Sequence, residues 1–404
     1  MKMLKGLLLV TVLITITGFD RNIENEISYV SNSEFNAMGP YLSVDNNQEH
    51  ILNWTEEIDE NKTSVLKYRI FDTNQQQFKK EVVVTSSKGL QSHHESMPKV
   101  AKTESGVMYA VFRFTTPNSK NRFAGSIYYA VSEDGGVHWT EKKKLVDDAQ
   151  ALSQSFYDLA LLPDGELGLT WLDSRKVEKD KSGSTLYFAK TDHSNEFVNQ
   201  KPIANYTCQC CRTDIYVDVN KKVHIAFRNI ENESIRDMYQ VVSSNDGQSF
   251  SKPEKLGEDN WKIEGCPHTG PSLGSTANDV SVAWFTGANS GIGIFYKKLS
   301  DHMSLFNNKQ LITTSGRHPQ MVMSADGTAY IVYEDYVKDG DVSYTSIILH
   351  AVFKDGSTTK KELSLPKTNN DHAVISKLNS QQILVAWTYV MNKQSKVVYK
   401  IVDL

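Results

Sequence analysis

The sequence predicts an all-β fold, a β-propeller built from four-stranded antiparallel blades. Three observations carry that expectation: one strand motif recurs along the whole chain, Gly, Asp and Asn turns separate it from flanking apolar-alternating segments, and no convincing amphipathic helix interrupts the series. The motif is a short alternating strand ending in an aromatic, as in "HILNWTE", "LGLTWLDSR", "VSVAWFTGA" and "ILVAWTYV". Its anchors are Trp54, Phe112, Trp171, Phe227, Trp284, Tyr333 and Trp387, spaced 49 to 59 residues apart. Seven copies predict seven blades, or six if the first and last units merge.

Each anchor strand follows another apolar strand across a turn ("DLALLPDG", "PQMVMSADG") and precedes a third ("LYFAKTD", "IILHAVFKD"). After six of the seven units comes a short fourth strand such as "KEVVV", "KKKLV" or "KQLI". The seventh unit runs to Leu404 with only three. The segment "EISYV", Glu26–Val30, is therefore expected to supply the missing outer strand and close the ring.

The chain opens "MKMLKGLLLVTVLITITGF", with Lys2 and Lys5 ahead of an uncharged run from Gly6 to Phe19. That run is short for a membrane span and well placed for a secretory signal, so residues 1–19 are expected to be a signal peptide and residues 20–404 a single propeller domain. The protein is then exported, to a periplasm, the medium or a cell surface. Thr15, Thr17 and Gly18 only loosely satisfy the small-x-small cleavage rule, which leaves an uncleaved anchor, and with it membrane contact, as the alternative. A hydrophobic content of 39%, 10% aromatics and a formal charge of −4 describe a globular chain without a nucleic-acid footprint.

The connection between third and fourth strands is informative. "SEDGGVHW" reads Ser-x-Asp-x-Gly-x-x-Trp at Ser132, Asp134, Gly136 and Trp139, and "SNDGQSF" reads as a box one residue shorter at Ser244, Asp246, Gly247 and Phe250. Degenerate versions follow at "TDHSNEF" and "SDHMSLF". These segments resemble the Asp-box, or BNR, repeat of the sialidase superfamily, and the resemblance covers nearly all of the chain after its first segment. The carboxylate can accept backbone N–H bonds within its own turn, glycine supplies a positive φ and the aromatic plugs the gap between strands, so the boxes are expected to be folding devices.

In a propeller, ligands usually sit over the central channel, among the loops entering each innermost strand and leaving the second. The entering loops here carry His93, His94 and Glu95, Tyr157 and Asp158, Arg212 and Asp214, His268, Arg317 and His318, and Asp371 and His372. Five of the eleven histidines thus fall at equivalent topological positions. The loops leaving the second strands add Arg113, Asp173, Arg175, Arg228, Glu334 and Asp335.

The sialidase resemblance implies an exo-sialidase-type glycoside hydrolase acting on acidic glycans at the channel mouth. Arg113, Arg175, Arg228 and Arg317 would grip the sugar carboxylate, Tyr157 activated by Glu334 would be the nucleophile, and Asp173 or Asp158 the acid. The superfamily's early Arg-Ile-Pro segment has its nearest echo only in "RHPQM", Arg317–Met321, and sialidases have six blades.

All four cysteines lie in two of the entering loops: Cys208, Cys210 and Cys211 in "NYTCQCCRTDIYV" and Cys266 in "WKIEGCPHTGPSL". The chain resembles a sialidase-like bacterial group in these runs, which makes the cluster a group feature. Two chemistries remain open. In an exported protein the cysteines are expected to pair as disulfides; alternatively, they and His268 offer soft ligands for Cu(I) or Zn²⁺, with His94, His318 and His372 nearby. A non-catalytic scaffold binding a glycan or protein partner is the third function the sequence permits.

Overall fold

The computed structural model describes residues 27–31, 34–119, 121–149, 151–175, 182–232, 234–299 and 309–404. The expected signal segment and the "SDHMSLF" box fall outside these residues. Seven antiparallel sheets form seven blades, with a single short 3-10 turn, Thr85–Ser87, among the described residues. The innermost strands are Ala37–Val44, Lys99–Lys102, Gln154–Leu161, Asp214–Val217, Ser272–Ser275, Gly316–Met323 and Asn369–Lys377, in blades 1 to 7. The anchor aromatics all lie on the second strands, His50–Glu57, Met108–Thr115, Leu167–Asp173, Val223–Arg228, Val280–Ala288, Ala329–Asp339 and Gln382–Met391.

Ring closure follows the expectation. Ser28–Tyr29 pairs with the last strand, Gln394–Asp403, in the register Ser28↔Tyr399 and Tyr29↔Val398. Val30 is fully buried against this edge and its N–H donates to the Val397 carbonyl. The N-terminal strand thus completes blade 7, the usual way a propeller removes its last open edge.

The core lies between adjacent sheets, and the second strands carry it because both their faces are covered. Trp54, Trp171, Trp284 and Trp387 are all fully buried. Each indole N–H finds an oxygen: Glu56 Oε2 at 2.7 Å, Asp173 Oδ2 at 3.0 Å, Asp259 Oδ2 at 2.7 Å and Asn370 Oδ1 at 2.9 Å. A buried tryptophan needs such a partner, and the recurring acidic or amide neighbour is the structural reason for it.

The Asp boxes behave as folding devices. Ser132 Oγ donates to Asp134 Oδ1, while the N–H groups of Gly136 and His138 donate to Ser132 Oγ and Asp134 Oδ1. Gly135 and Gly136 hold φ of 72° and 91°, which only glycine adopts cheaply, and Trp139 packs edge-on to Tyr68 of the preceding blade. The box in blade 4 corrects the expected register. Ser243, Asn245 and Gly247 make the same three bonds, so the box has full length with Asn in the carboxylate position, and Asp246 is its left-handed turn residue with φ of 53°.

A second repeated device shapes the channel mouth. In blades 1, 3, 6 and 7 the innermost strand begins with a bulge, where the register shifts between Met38 and Tyr41, Ser155 and Asp158, Arg317 and Gln320, and Asp371 and Val374. The residue inside each bulge has positive φ: Gly39, Phe156, His318 and His372. Bulges re-aim side chains, and two of these four hold histidines.

Candidate metal and ligand site

The innermost strands enclose a channel of about 560 Å³, lined among others by Tyr41, Lys99, Asp158, Arg212, Asp214 and Gln320. Its carboxylates first serve to join blades. Asp158 accepts the Ile215 N–H at 3.0 Å and Asp214 accepts the Leu273 N–H, each reaching the next innermost strand. Burial, with the Asp158 carboxylate close by, pushes the Asp214 carboxyl up to about 7, against the pull of Leu273 N–H, Arg212 and Lys99.

That shift has a consequence for stability. The folded chain keeps a proton that an unfolded carboxyl releases at about pH 4, so this group's contribution is complete in acid and is lost as pH rises to about 7. Asp214→Asn keeps an acceptor for Leu273 N–H and removes the titration. Urea denaturation at a series of pH values is expected to show a flatter profile for the variant over that range and equal or greater stability above it. An unchanged slope would contradict the assignment.

The four predicted arginines do not converge. Arg113 is buried and donates to the carbonyls of Gln154 at 2.7 Å and Phe123 at 2.8 Å, lying so close over Gly125 that a Cβ there would strike its guanidinium. Arg228, 1% exposed, donates to the carbonyls of Arg236 and Phe285 at 2.8 Å and of Thr269 at 3.4 Å. Both are staples to the next blade. Arg175 clamps the fully buried Asp173 through Nε and a terminal nitrogen at 3.0 and 2.8 Å, and its guanidinium lies over the Tyr187 ring. Only Arg317 of the four stays exposed, stacked 4.0 Å from the Phe285 ring centre.

The proposed catalytic set is likewise distributed. Tyr157 is buried in the core between blades 2 and 3, with Lys99 5.8 Å from its ring centre and burial pushing its hydroxyl well up. Glu334 instead contacts His318 and His372, so the Tyr157–Glu334 pair does not form among the described residues. Asp173 is occupied by the Trp171 indole and by Arg175.

The cysteines and histidines, in contrast, are gathered. Cys208 Sγ lies 3.7 Å from Cys210 Sγ and 3.5 Å from Cys211 Sγ, and Cys210 Sγ is within 4.8 Å of ligand atoms of Cys266 and His268. No S–S bond joins any of the four in this structure. Cys208 N–H donates to the Arg228 carbonyl, which ties the turn to the adjacent strand. Burial pushes the Cys211 thiol up, but hydrogen bonds from Cys208 and Cys210 and the Arg228 guanidinium outweigh it and hold Cys211 well below the usual thiol range.

A second cluster stands beside it. Glu95 Oε1 lies 3.1 Å from His372 Nε2 and 3.7 Å from His318 Nε2, and Arg212 Nε is 3.8 Å from the other oxygen. His318 Nδ1 meets Glu334 at 2.7 Å, and Asp371 Oδ1 lies 3.2 Å from His372 Nδ1 and 3.3 Å from His94 Nδ1. Burial pushes Glu95 up, yet Arg212, His318 and His372 outweigh it and hold its carboxyl well below the ordinary range. Glu95 was given no role from the sequence, although the pairing of an acid with histidine in "HHE" and "NDH" was a visible signal.

The BNR repeat-like domain family matches residues 52–351 of this chain. The chain belongs to that family. Among solved structures, this BNR repeat-like protein is similar to a protein of unknown function from Dyadobacter fermentans DSM 18053, at 12% identity and TM-score 0.55, over 95% of this chain and 99% of that one. It is also similar to the polysaccharide lyase Uly1, at 10% identity and TM-score 0.55, over 93% and 92% of the two chains. A NanB sialidase mutant from Streptococcus pneumoniae aligns at 11% identity and TM-score 0.50, over 94% and 71%. At such identities the likeness is one of fold. No curated protein matches the chain.

Proposed function

We propose that this propeller binds a soft metal ion, Cu(I) or Zn²⁺, at the channel mouth through Cys208, Cys210 and Cys211, with Cys266 and His268 completing the donor set. The observation that carries this reading is the sulfur spacing. Metal–sulfur bonds of about 2.3 Å in a tetrahedral site put neighbouring sulfurs about 3.8 Å apart, and Cys208 Sγ lies 3.7 and 3.5 Å from the sulfurs of Cys210 and Cys211. A disulfide would need about 2.05 Å. Three buried sulfurs in a compact turn are the donor type that selects soft metals.

Cys210 bridges the two groups of donors, so its loss is expected to matter most. Cys210→Ser is expected to lower metal content to background and Cys266→Ser to weaken retention about tenfold or more, measured by competition with a chromophoric chelator. Equal retention by wild type and both variants would refute the thiolate centre.

A second reading is recognition or hydrolysis of an acidic glycan over the same mouth, as an exo-sialidase would perform. It is supported by the family and by propeller neighbours named as a sialidase and a polysaccharide lyase, and by Arg317, exposed beside the histidines. A fluorogenic sialoside and a panel of uronate-containing glycans, assayed from acid to mildly alkaline pH, test it; absence of both turnover and binding would end it.

A further inference from the structure

We propose that Glu95, His318 and His372 form a second metal site, distinct from the thiolates, for one divalent ion of intermediate hardness such as Zn²⁺. It goes beyond the thiolate reading and stands whether or not that reading holds. The three residues come from different blades: Glu95 from the loop entering blade 2, His318 and His372 from the innermost strands of blades 6 and 7. Their ligand atoms nevertheless all lie within 4.8 Å of one another.

Burial is the independent observation. The Glu95 side chain is 3% exposed, and neither of its oxygens has a hydrogen-bond donor aligned on it. Both ring nitrogens of His372 are buried without an aligned partner as well, although Glu95 Oε1 is only 3.1 Å from Nε2. Buried polar atoms are almost always hydrogen-bonded, and leaving a carboxylate unsatisfied is costly. A buried carboxylate oxygen with two imidazole nitrogens at 3.1 and 3.7 Å, none aligned on it as a hydrogen-bond donor, is a place where a metal cation can stand in for the ring protons.

The surroundings orient the imidazoles as ligands. Nδ1 of His318 is 2.7 Å from Glu334 and Nδ1 of His372 is 3.2 Å from Asp371, which leaves both Nε2 atoms toward Glu95. The carboxylate hydrogen-bonded behind His318 is the arrangement that orients a ligand imidazole and raises its basicity in metal sites, and Asp371 stands close behind His372. The two rings stack at 4.3 Å, and both histidines hold positive φ, 51° and 50°, inside the bulges described above. Left-handed backbone at a non-glycine residue is a strain that concentrates at functional sites. His318 Nε2 also lies 3.0 Å from the His268 carbonyl, a contact it would release on binding the ion.

Two nitrogens and a carboxylate oxygen suit Zn²⁺, Co²⁺ or Fe²⁺ but not Cu(I), which the neighbouring sulfurs accept along with Zn²⁺. The probe is therefore Co²⁺, added to the metal-stripped full chain, because sulfur ligation of cobalt produces a charge-transfer band that nitrogen and oxygen ligation does not. The expected result is one equivalent bound without that band in a variant whose Cys208, Cys210 and Cys211 are all serine, present in wild type beside any sulfur-ligated equivalent, and weakened about tenfold or more when Glu95→Gln or His372→Asn is added. Circular dichroism checks that the variants fold, and His318→Gln replaces any that does not. Binding that always carries the sulfur band, no binding at all, or sulfur-free binding undiminished in the folded variants would overturn the proposal.

Discussion

Arg228→Ala is expected to destabilise the protein by about 3–5 kcal/mol, from buried carbonyls left without donors at about 1–3 kcal/mol each and from the cavity left behind. The guanidinium is 1% exposed, donates to three carbonyls in three segments and lies 4.9 Å from the Trp261 ring centre. Its loss leaves the carbonyls of Arg236, Thr269 and Phe285 short of donors and opens a void between blades 4 and 5. Arg228→Lys is expected to recover less than half of that loss, since a single ammonium cannot reproduce a planar fork. Under the carboxylate-clamp role, Arg228→Ala would instead lower ligand affinity and leave the melting temperature nearly unchanged. Thermal and urea denaturation distinguish the two.

The second large effect is expected at Asp173, which the sequence offered as an acid catalyst. It is fully buried, accepts the Trp171 indole N–H at 3.0 Å and is gripped by Arg175. Asp173→Ala removes the partners of both and is expected to cost about 2–4 kcal/mol, with Asp173→Asn costing less because an acceptor for the indole remains. Metal content of the folded fraction should not change. A variant as stable as wild type, with activity lost, would restore the catalytic role.

These two residues also show what was and was not legible in the sequence. The fold was, because period-2 alternation and an aromatic anchor such as Trp171 or Trp387 report a covered strand whatever its neighbours are, and because "EISYV" had nowhere else to pair. The second Asp box was misread by one residue, since Ser243 and Ser244 are both serines and the hydrogen bonds alone reveal that Asn245 takes the carboxylate position. Arginines at the ends of second strands were ambiguous in a deeper way. Such a side chain can point over the channel or sideways into the next blade, and Arg113 and Arg228 both take the second course.

For the cysteines the position was legible and the chemistry was not. Their loops were expected to meet, and Cys210 does approach Cys266 and His268, but sulfur spacing is a property of the folded turn. Glu95 was placed on an entering loop but given no role, because an acid next to two histidines usually means an exposed polar loop. Its burial depends on blades 6 and 7 closing over it, contacts made across some 220 to 280 residues of sequence.

The measurement that tests the central claim most directly is elemental analysis with a parallel thiol count on the full chain, purified without chelators. The account predicts copper or zinc near one equivalent or above, with thiols that react only after the metal is removed. Metal-free protein with its cysteines oxidised to disulfides would contradict it.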